Sequence, residues 1–329
     1  MAIDILNIKP SVISRDLRGK YVLLYGKPKS GKTTAATSFP NALLCAFEKG
    51  YNAIGGVRPV DITTWSDFKQ VLRQLEKPEA KQMYETIIID TISIAWDYCE
   101  QYICAQNGVQ KINDIAWGAG HSACKKEFEG ALRKITMLGY GIVLITHSAA
   151  RVEKTADGSE VEIISPDLPK RAAEICNGIV DIIGYIGNEY DKDTKEYKRW
   201  LYTRETPTLF AGSRFKYLAP KIEFGYKQLV DAISEAIDEA EKHGATVVDK
   251  LEVVQHSGPD YNALMKEAKE LWTKLVHPED NGDEEMARTI LKKIELNFGR
   301  PMKISEITED QVTILELIVI EMRELAAKM

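Results

Sequence analysis

The sequence predicts an α/β protein with a mainly parallel sheet, followed by a small all-helical domain. Three observations carry this. Fully apolar runs at Tyr21–Tyr25, Ala42–Phe47, Thr86–Ile89 and Gly141–Ile145 alternate with segments of helical periodicity. Strands buried on both faces read this way, and a helix between successive strands makes them parallel. Polar groups follow those runs at Lys32, Glu48, Asp90 and His147, where an open α/β sheet binds its ligands. From Tyr226 the apolar runs give way to amphipathic, acidic helices.

The elements follow in order. Residues 1–20 are a lead-in with a short apolar pattern. Tyr21–Tyr25 is a buried strand, and Thr33–Ser38 a helix that Pro40 ends. Ala42–Phe47 is the second strand, and the glycines at 50, 55 and 56 make a loop. Thr64–Asp67 opens a helix with Phe68, Val71, Leu72 and Leu75 on one face, and Pro78 closes that unit. After the strand ending at Asp90, Ser93–Cys104 is helical, Ala105–Gly120 is a polar loop, and His121–Leu138 is helical again. Beyond the fourth strand, Asp157–Gly158 signals a hairpin within 151–171. Ile179–Tyr185 and Arg199–Thr203 are strand-like, with Asp191–Asp193 suited to the turn between them. Lys227–His243 is an amphipathic helix and 255–258 a linker, and three more helices follow, the last opened by Thr308-x-x-Gln311. The expected domains are therefore a core over 1–224, a helix and linker over 225–258, and a helical domain over 259–329.

Composition narrows the classes. The chain of 329 residues is 44% hydrophobic and 28% charged, which suits a globular protein with a sizeable core. Its net charge of −6 is uneven: residues 225–329 hold 13 Lys+Arg against 22 Asp+Glu, or −9, leaving +3 for the rest. The first two-thirds can hold nucleic acid locally and the last third would repel it, unless the acidic surplus is simply a solvated helix surface. There is no apolar run of about 18 residues and no basic, then apolar, N-terminal signal, so neither a membrane span nor secretion is expected. Five cysteines without a C-x-x-C pair read as reduced thiols of a cytoplasmic protein.

The most specific stretch is Gly26–Lys27–Pro28–Lys29–Ser30–Gly31–Lys32–Thr33, which fits the phosphate-loop pattern G-x-x-x-x-G-K-[ST]. Its glycines let the backbone turn N–H groups toward phosphate oxygens. Lys32 supplies a point charge to the β- and γ-phosphates, and the Thr33 hydroxyl can ligate Mg²⁺. The following helix, with Thr34 in its first turn, faces the anion with its N-terminus. Asp90, closing an apolar strand expected beside the loop strand, is the candidate second group for the Mg²⁺ shell; a helix cap before Thr91 is the plainer alternative.

Together these residues resemble a family. The stretch Tyr25–Thr34, then Phe47–Glu48–Lys49–Gly50, Ile88–Ile89–Asp90–Thr91, Trp117–Gly118 and Leu144–Ile145–Thr146–His147 occur in the order seen in phage nucleotide-binding proteins of RecA-like fold. That group includes the Sak-type ATPases of single-strand annealing and recombination. Ala211–Gly212–Ser213–Arg214 and Leu218–Ala219–Pro220 are similar to its end-of-core motif, so the resemblance spans about residues 15–225. It implies ATP and Mg²⁺ as cofactors. It implies Glu48, on a neighbouring strand, as the carboxylate orienting the attacking water, and His147 as a sensor of the γ-phosphate. Arg214 would be a finger reaching an adjacent subunit of a homo-oligomer, but Gly212 stands where the family often has the first cation of a Lys-x-Arg pair. Lys27 matches a trans-acting lysine of a different loop subclass.

The resemblance also implies single-stranded DNA as partner, through the loops 106–121 and 148–171. These hold Lys111, Trp117, His121, Arg151, Lys154, Lys170 and Arg171, diluted by acids at 153, 157, 160, 162 and 167. The helical tail loosely resembles domains that dock a single-strand-binding protein, with oligomer packing as the alternative. The expected function is an ATPase that binds single-stranded DNA and assists strand annealing. An ATP-bound, non-hydrolysing DNA-binding or adaptor module is the second reading. A small-molecule kinase is disfavoured because no compact arginine cluster is present to form a lid.

Overall fold

The computed structural model describes residues 12–14, 20–154, 158–192, 194–249, 260–276 and 284–327. The chain forms two compact units, Met1–Gln255 and His256–Met329.

The first unit opens with the short strand β1 (Ile13–Ser14), then the loop strand β2 (Tyr21–Gly26), α1 (Lys32–Thr37), β3 (Ala42–Ala46) and β4 (Pro59–Asp61). Helix α2 (Trp65–Gln74) starts where expected, because Thr64 and Asp67 cap it reciprocally: the Asp67 N–H donates to Thr64 Oγ1 at 3.2 Å and the Thr64 N–H to Asp67 Oδ2 at 2.9 Å. Pro78 does not close a unit. It opens α3 (Pro78–Met83) from its first turn, where its missing N–H costs nothing. Strand β5 (Thr86–Asp90), helices α4 (Ile92–Gln106) and α5 (Ala119–Met137), and β6 (Gly141–Thr146) follow.

The hairpin signalled at Asp157–Gly158 joins β7 (Ser148–Lys154) to β8 (Glu160–Pro166), with Gly158 at φ +86° and Asp157 outside the described residues. Next comes α6 (Lys170–Ile179), a helix the sequence pattern does not predict and whose first two residues fall in the expected loop 148–171. A longer hairpin pairs β9 (Ile182–Asp191) with β10 (Glu196–Tyr202); Asp193 of its expected turn lies outside the described residues. The unit closes with β11 (Gly212–Ser213), β12 (Lys221–Glu223), α7 (Tyr226–Lys242) and β13 (Val247–Val248), which pairs with β1.

The main sheet runs β12–β10–β9–β2–β6–β5–β3–β4, with β11 also on β9. From β9 to β4 all pairs are parallel, while β10, β11 and β12 join antiparallel. The pleat divides the apolar runs between two cores. Leu23, Tyr25, Ile87, Ile89, Ile142 and Leu144 pack on the face covered by α2, α4 and α5. Val22, Leu24, Ile88, Val143 and Ile145 pack on the other with Ala36 of α1 and Leu229, Ile233 and Ile237 of α7. Burying each large side chain contributes about 1.5–3 kcal/mol, so a sheet covered on both faces holds its carboxyl edge rigidly.

The second unit holds α8 (Tyr261–Val276), α9 (Glu284–Phe298) and α10 (Val312–Ala326) around Met265, Ala268, Ile290, Ile294, Leu315 and Val319. Thr308 and Gln311 open a 3₁₀ turn before α10, where the Thr308 N–H donates to Gln311 Oε1 at 3.1 Å.

Candidate nucleotide site

β2 ends at Gly26 and the chain turns at once. A Cβ on Gly26 would lie 2.7 Å from the carbonyl oxygen of Ile186 on β9; on Gly31, at φ +88°, it would lie 2.9 Å from Arg199 Nη1 and 3.3 Å from Phe224 Cε1. Both positions therefore need glycine. Lys32 begins α1 with its side chain buried, and its Nζ donates to the carbonyls of Gly26 and Lys27, both at 2.9 Å, with Ser30 Oγ at 3.5 Å. Burial pushes the Lys32 ammonium below its ordinary pKa, while the Asp90 and Glu48 carboxylates act the other way. Ser30 is buried; Lys27, Pro28, Lys29 and Thr34 are exposed around the turn.

Thr33 Oγ1 donates to Asp90 Oδ2 at 2.7 Å. Burial raises the Asp90 carboxyl above the usual carboxylate range, opposed by that hydrogen bond. Asp90 is not beside the loop strand as expected: β6 lies between β5 and β2. Two strand spacings, about 10 Å, separate the two backbones, and Thr33 on α1 bridges the gap. Asp90 does not cap α4, whose N-cap is Thr91. Glu48 also comes from farther than a neighbouring strand, since β3 lies beyond β5. It reaches the site because the N–H groups of Phe47 and Glu48 both donate to the Asp90 carbonyl, at 2.7 and 3.0 Å, folding the end of β3 over β5. Its Oε2 is 3.7 Å from His147 Nε2. His147 Nδ1 is buried and makes no hydrogen bond.

Lys32, Thr33, Asp90, Glu48 and His147 thus meet at one edge of the sheet. Arg214 does not join them in its own chain. It sits at the amino ends of β2 and β9, where its guanidinium donates to Asp181 Oδ1 at 3.2 Å and to the carbonyls of Gly178 at 2.6 Å and Ile179 at 3.4 Å. Of the DNA-contact candidates, Trp117 is fully exposed at φ +58°, beside Gly118 at φ +69°. Lys111 is exposed in the same loop, and His121 Nε2 lies 2.8 Å from Asn113 Oδ1. Arg151 is turned onto the carbonyls of Leu168 and Pro166, so its charge is partly committed. Lys154 is exposed near the hairpin end, and Lys170 and Arg171 are exposed in the first turn of α6. The hairpin is rooted in the site: the Asp167 N–H donates to the His147 carbonyl at 2.9 Å, and Thr146 Oγ1 to the Asp167 carbonyl at 3.0 Å. Sequence reasoning missed Arg199 and Phe224 beside Gly31; neither carries a local signal, because long-range strand pairing brings them there.

The residues fit a triphosphate and a Mg²⁺ ion. Two glycines form a cradle that a Cβ would fill, a buried ammonium lies over it, and the Thr33 and Asp90 oxygens are the hard donors Mg²⁺ prefers. A glycine-turned loop on a mainly parallel sheet, with its lysine, threonine and strand-end aspartate assembled, defines an α/β P-loop NTPase. Residues 18–215 match the AAA domain family, and the chain belongs to it. It is also similar along its whole length, and along the whole of the relative, to the SPbeta prophage-derived uncharacterized protein YorG of Bacillus subtilis (strain 168), at 33% identity over 341 aligned positions. Among solved structures, the KaiC-like protein PH0186 of Pyrococcus horikoshii OT3 aligns at 16% identity and a TM-score of 0.35, covering 63% of this chain and 85% of that one. Among the described residues no helix is long and apolar enough to cross a membrane.

Proposed function

We propose that this protein is an ATP-hydrolysing, single-stranded-DNA-binding protein that assists strand annealing in phage recombination, acting in the host cytoplasm as a homo-oligomer. The observation that carries the reading is the physical link from the phosphate site to a candidate DNA loop. Glu48 and His147 face each other at 3.7 Å, and the same His147 anchors the β7–β8 hairpin through its carbonyl. A change at the γ-phosphate that shifts His147 therefore acts on the root of the hairpin carrying Arg151 and Lys154.

In this reading the loop amides and Lys32 hold the phosphates, and Thr33 and Asp90 hold the Mg²⁺ shell. Mg²⁺ held there would supply charge neutralisation for the phosphate oxygens. Glu48 orients and deprotonates the attacking water, and His147 reports occupancy of the γ position. Trp117, exposed on a glycine-bounded turn, offers a stacking face for a base, and Lys111, Lys154, Lys170 and Arg171 supply backbone charge. Arg214 would serve a neighbouring subunit only after leaving Asp181. The prophage origin of the relative YorG supports the phage setting. The acidic helical unit suits a protein partner, such as a single-strand-binding protein, better than DNA.

The test is ATP turnover with and without single-stranded DNA, with particle size followed by light scattering in the same samples. Mg²⁺-dependent turnover that rises with DNA is expected; a DNA-independent rate with no DNA binding refutes the proposal. The commitment of Arg214 to Asp181 and two carbonyls favours one alternative, a nucleotide-bound adaptor that does not hydrolyse. Annealing that needs ATP yet survives Glu48→Gln would select it.

A further inference from the structure

We propose that Arg199 and Phe224 form the nucleoside end of the site, the Phe224 ring stacking on the base and the Arg199 guanidinium contacting the phosphate nearest the ribose. This rests on the nucleotide reading above and goes beyond the loop motif.

The strand pairing puts both residues there. β9 runs level with the end of β2 where Ile186 pairs with Gly26, then continues past the sheet edge to Asp191. β10 returns beside it, and Arg199 pairs with Asn188, two residues beyond that level. Arg199, carried on β10, therefore lies beyond the end of β2 at the level of the phosphate loop. Its Nη1 and the Phe224 ring are the groups a Cβ on Gly31 would meet first. The pair is held as a unit: the Phe224 N–H donates to the Arg199 carbonyl at 2.9 Å, and the guanidinium carbon lies 6.0 Å from the ring centroid. Among the described residues the guanidinium is paired with no carboxylate, although the chain carries more acids than bases. An unneutralised, aromatic-braced arginine beside a phosphate loop is suited to an anion supplied from outside.

The sheet order decides which end of the nucleotide it meets. Asp90, Glu48 and His147 close β5, β3 and β6, all on one side of β2. Arg199 and the chain just after β12 lie on the other side. A triphosphate with its γ-phosphate between Glu48 and Lys32 directs its nucleoside toward Arg199 and Phe224. There an aromatic face serves the base, which Lys32 and the glycines cannot recognise.

The experiment measures binding of ATP, ADP and inorganic tripolyphosphate, each with Mg²⁺, to the full chain by calorimetry. Phe224→Leu keeps apolar volume but removes the ring, and should weaken ATP and ADP by about tenfold while changing tripolyphosphate less than about twofold. Phe224→Tyr should restore binding. Arg199→Ala should weaken ATP and ADP by the same factor. Loss confined to ATP would place Arg199 at the γ-phosphate and overturn the assignment. So would a Phe224→Leu loss equal for tripolyphosphate and ATP, or unchanged binding in both variants. Lys32→Ala separates the layers: if it abolishes binding of all three ligands while Arg199→Ala and Phe224→Leu do nothing, only this inference falls. If Lys32→Ala itself binds ATP normally, the nucleotide reading falls and takes the inference with it.

Discussion

Gly26→Ala tests how the phosphate loop is fixed. The added methyl carbon would sit 2.7 Å from the Ile186 carbonyl oxygen and 3.2 Å from the Ile186 Cβ. Real Cβ atoms do not approach a backbone oxygen that closely, and this oxygen cannot swing away, because Ile186 is paired with Gly26 in the parallel ladder. Relief requires β2 and β9 to part at the sheet edge. Overpacking of this kind costs about 1–3 kcal/mol, and a backbone neighbour puts it toward the upper end. At roughly 2–4 °C per kcal/mol for a unit of this size, the melting temperature should fall by about 4–12 °C. Gly31→Ala is the internal comparison. Its close neighbour at 2.9 Å is the tip of Arg199, which can rotate, so its cost is mainly the left-handed φ of +88°, about 1–2 kcal/mol. Calorimetric melting of both variants without nucleotide is the assay. A Gly26→Ala protein that melts with the wild type, or above Gly31→Ala, would refute the claim that the loop is braced by β9.

Further outcomes follow from the same geometry. Lys32→Ala removes two hydrogen bonds from a charged donor, each worth about 1.5–3 kcal/mol when redirected to phosphate, so ATP affinity should drop by about 10²–10⁴-fold in titration calorimetry. Asp90 has a folded-state pKa above its unfolded value, so the folded chain binds that proton more tightly; the stability it contributes is fully present at acid pH and is lost as pH rises through the raised pKa. Asp90→Asn should flatten that slope in melting curves taken across mildly acidic pH, and should abolish Mg²⁺-dependent nucleotide binding. In the wild type, that binding should fail on acidification at a higher pH than for an ordinary carboxylate. Trp117→Ala should weaken single-stranded DNA binding by about 1–3 kcal/mol in a fluorescence titration, with ATP affinity unchanged; equal DNA binding would remove Trp117 from the interface.

Much of this architecture was legible in the sequence, for physical reasons that also mark the boundary. Strands buried on both faces leave unbroken apolar runs, so β2, β3, β5 and β6 could be read directly, along with the polar residues closing them. Pro78 misled because one residue can either stop a helix or begin one; only context shows that it sits in the first turn of α3. Helix α6 escapes the sequence pattern because Lys170 and Arg171, which form its first turn, group with the loop 148–171 as DNA-contact candidates. Strand order is a long-range property. No local pattern says that β6 lies between the loop strand and the Asp90 strand, or that β9 overshoots the edge and returns Arg199 to Gly31. Arg214 shows the opposite failure: its motif is readable, but the cluster at Asp181 that occupies its guanidinium is not.

The rooting of the β7–β8 hairpin on His147 also divides the chain into two regimes of amide exchange. The amides of β6 are paired on both sides, to β2 and β5, in a strand whose residues are all buried. They should exchange only when the whole unit unfolds. One residue further on, β7 is paired only to β8 and is exposed over most of its length, so its amides should open locally and fast. The step from slow to fast exchange should fall at His147. Nucleotide that tightens His147 against Glu48 should then move that step outward along the hairpin, so that amides distant from any phosphate become protected.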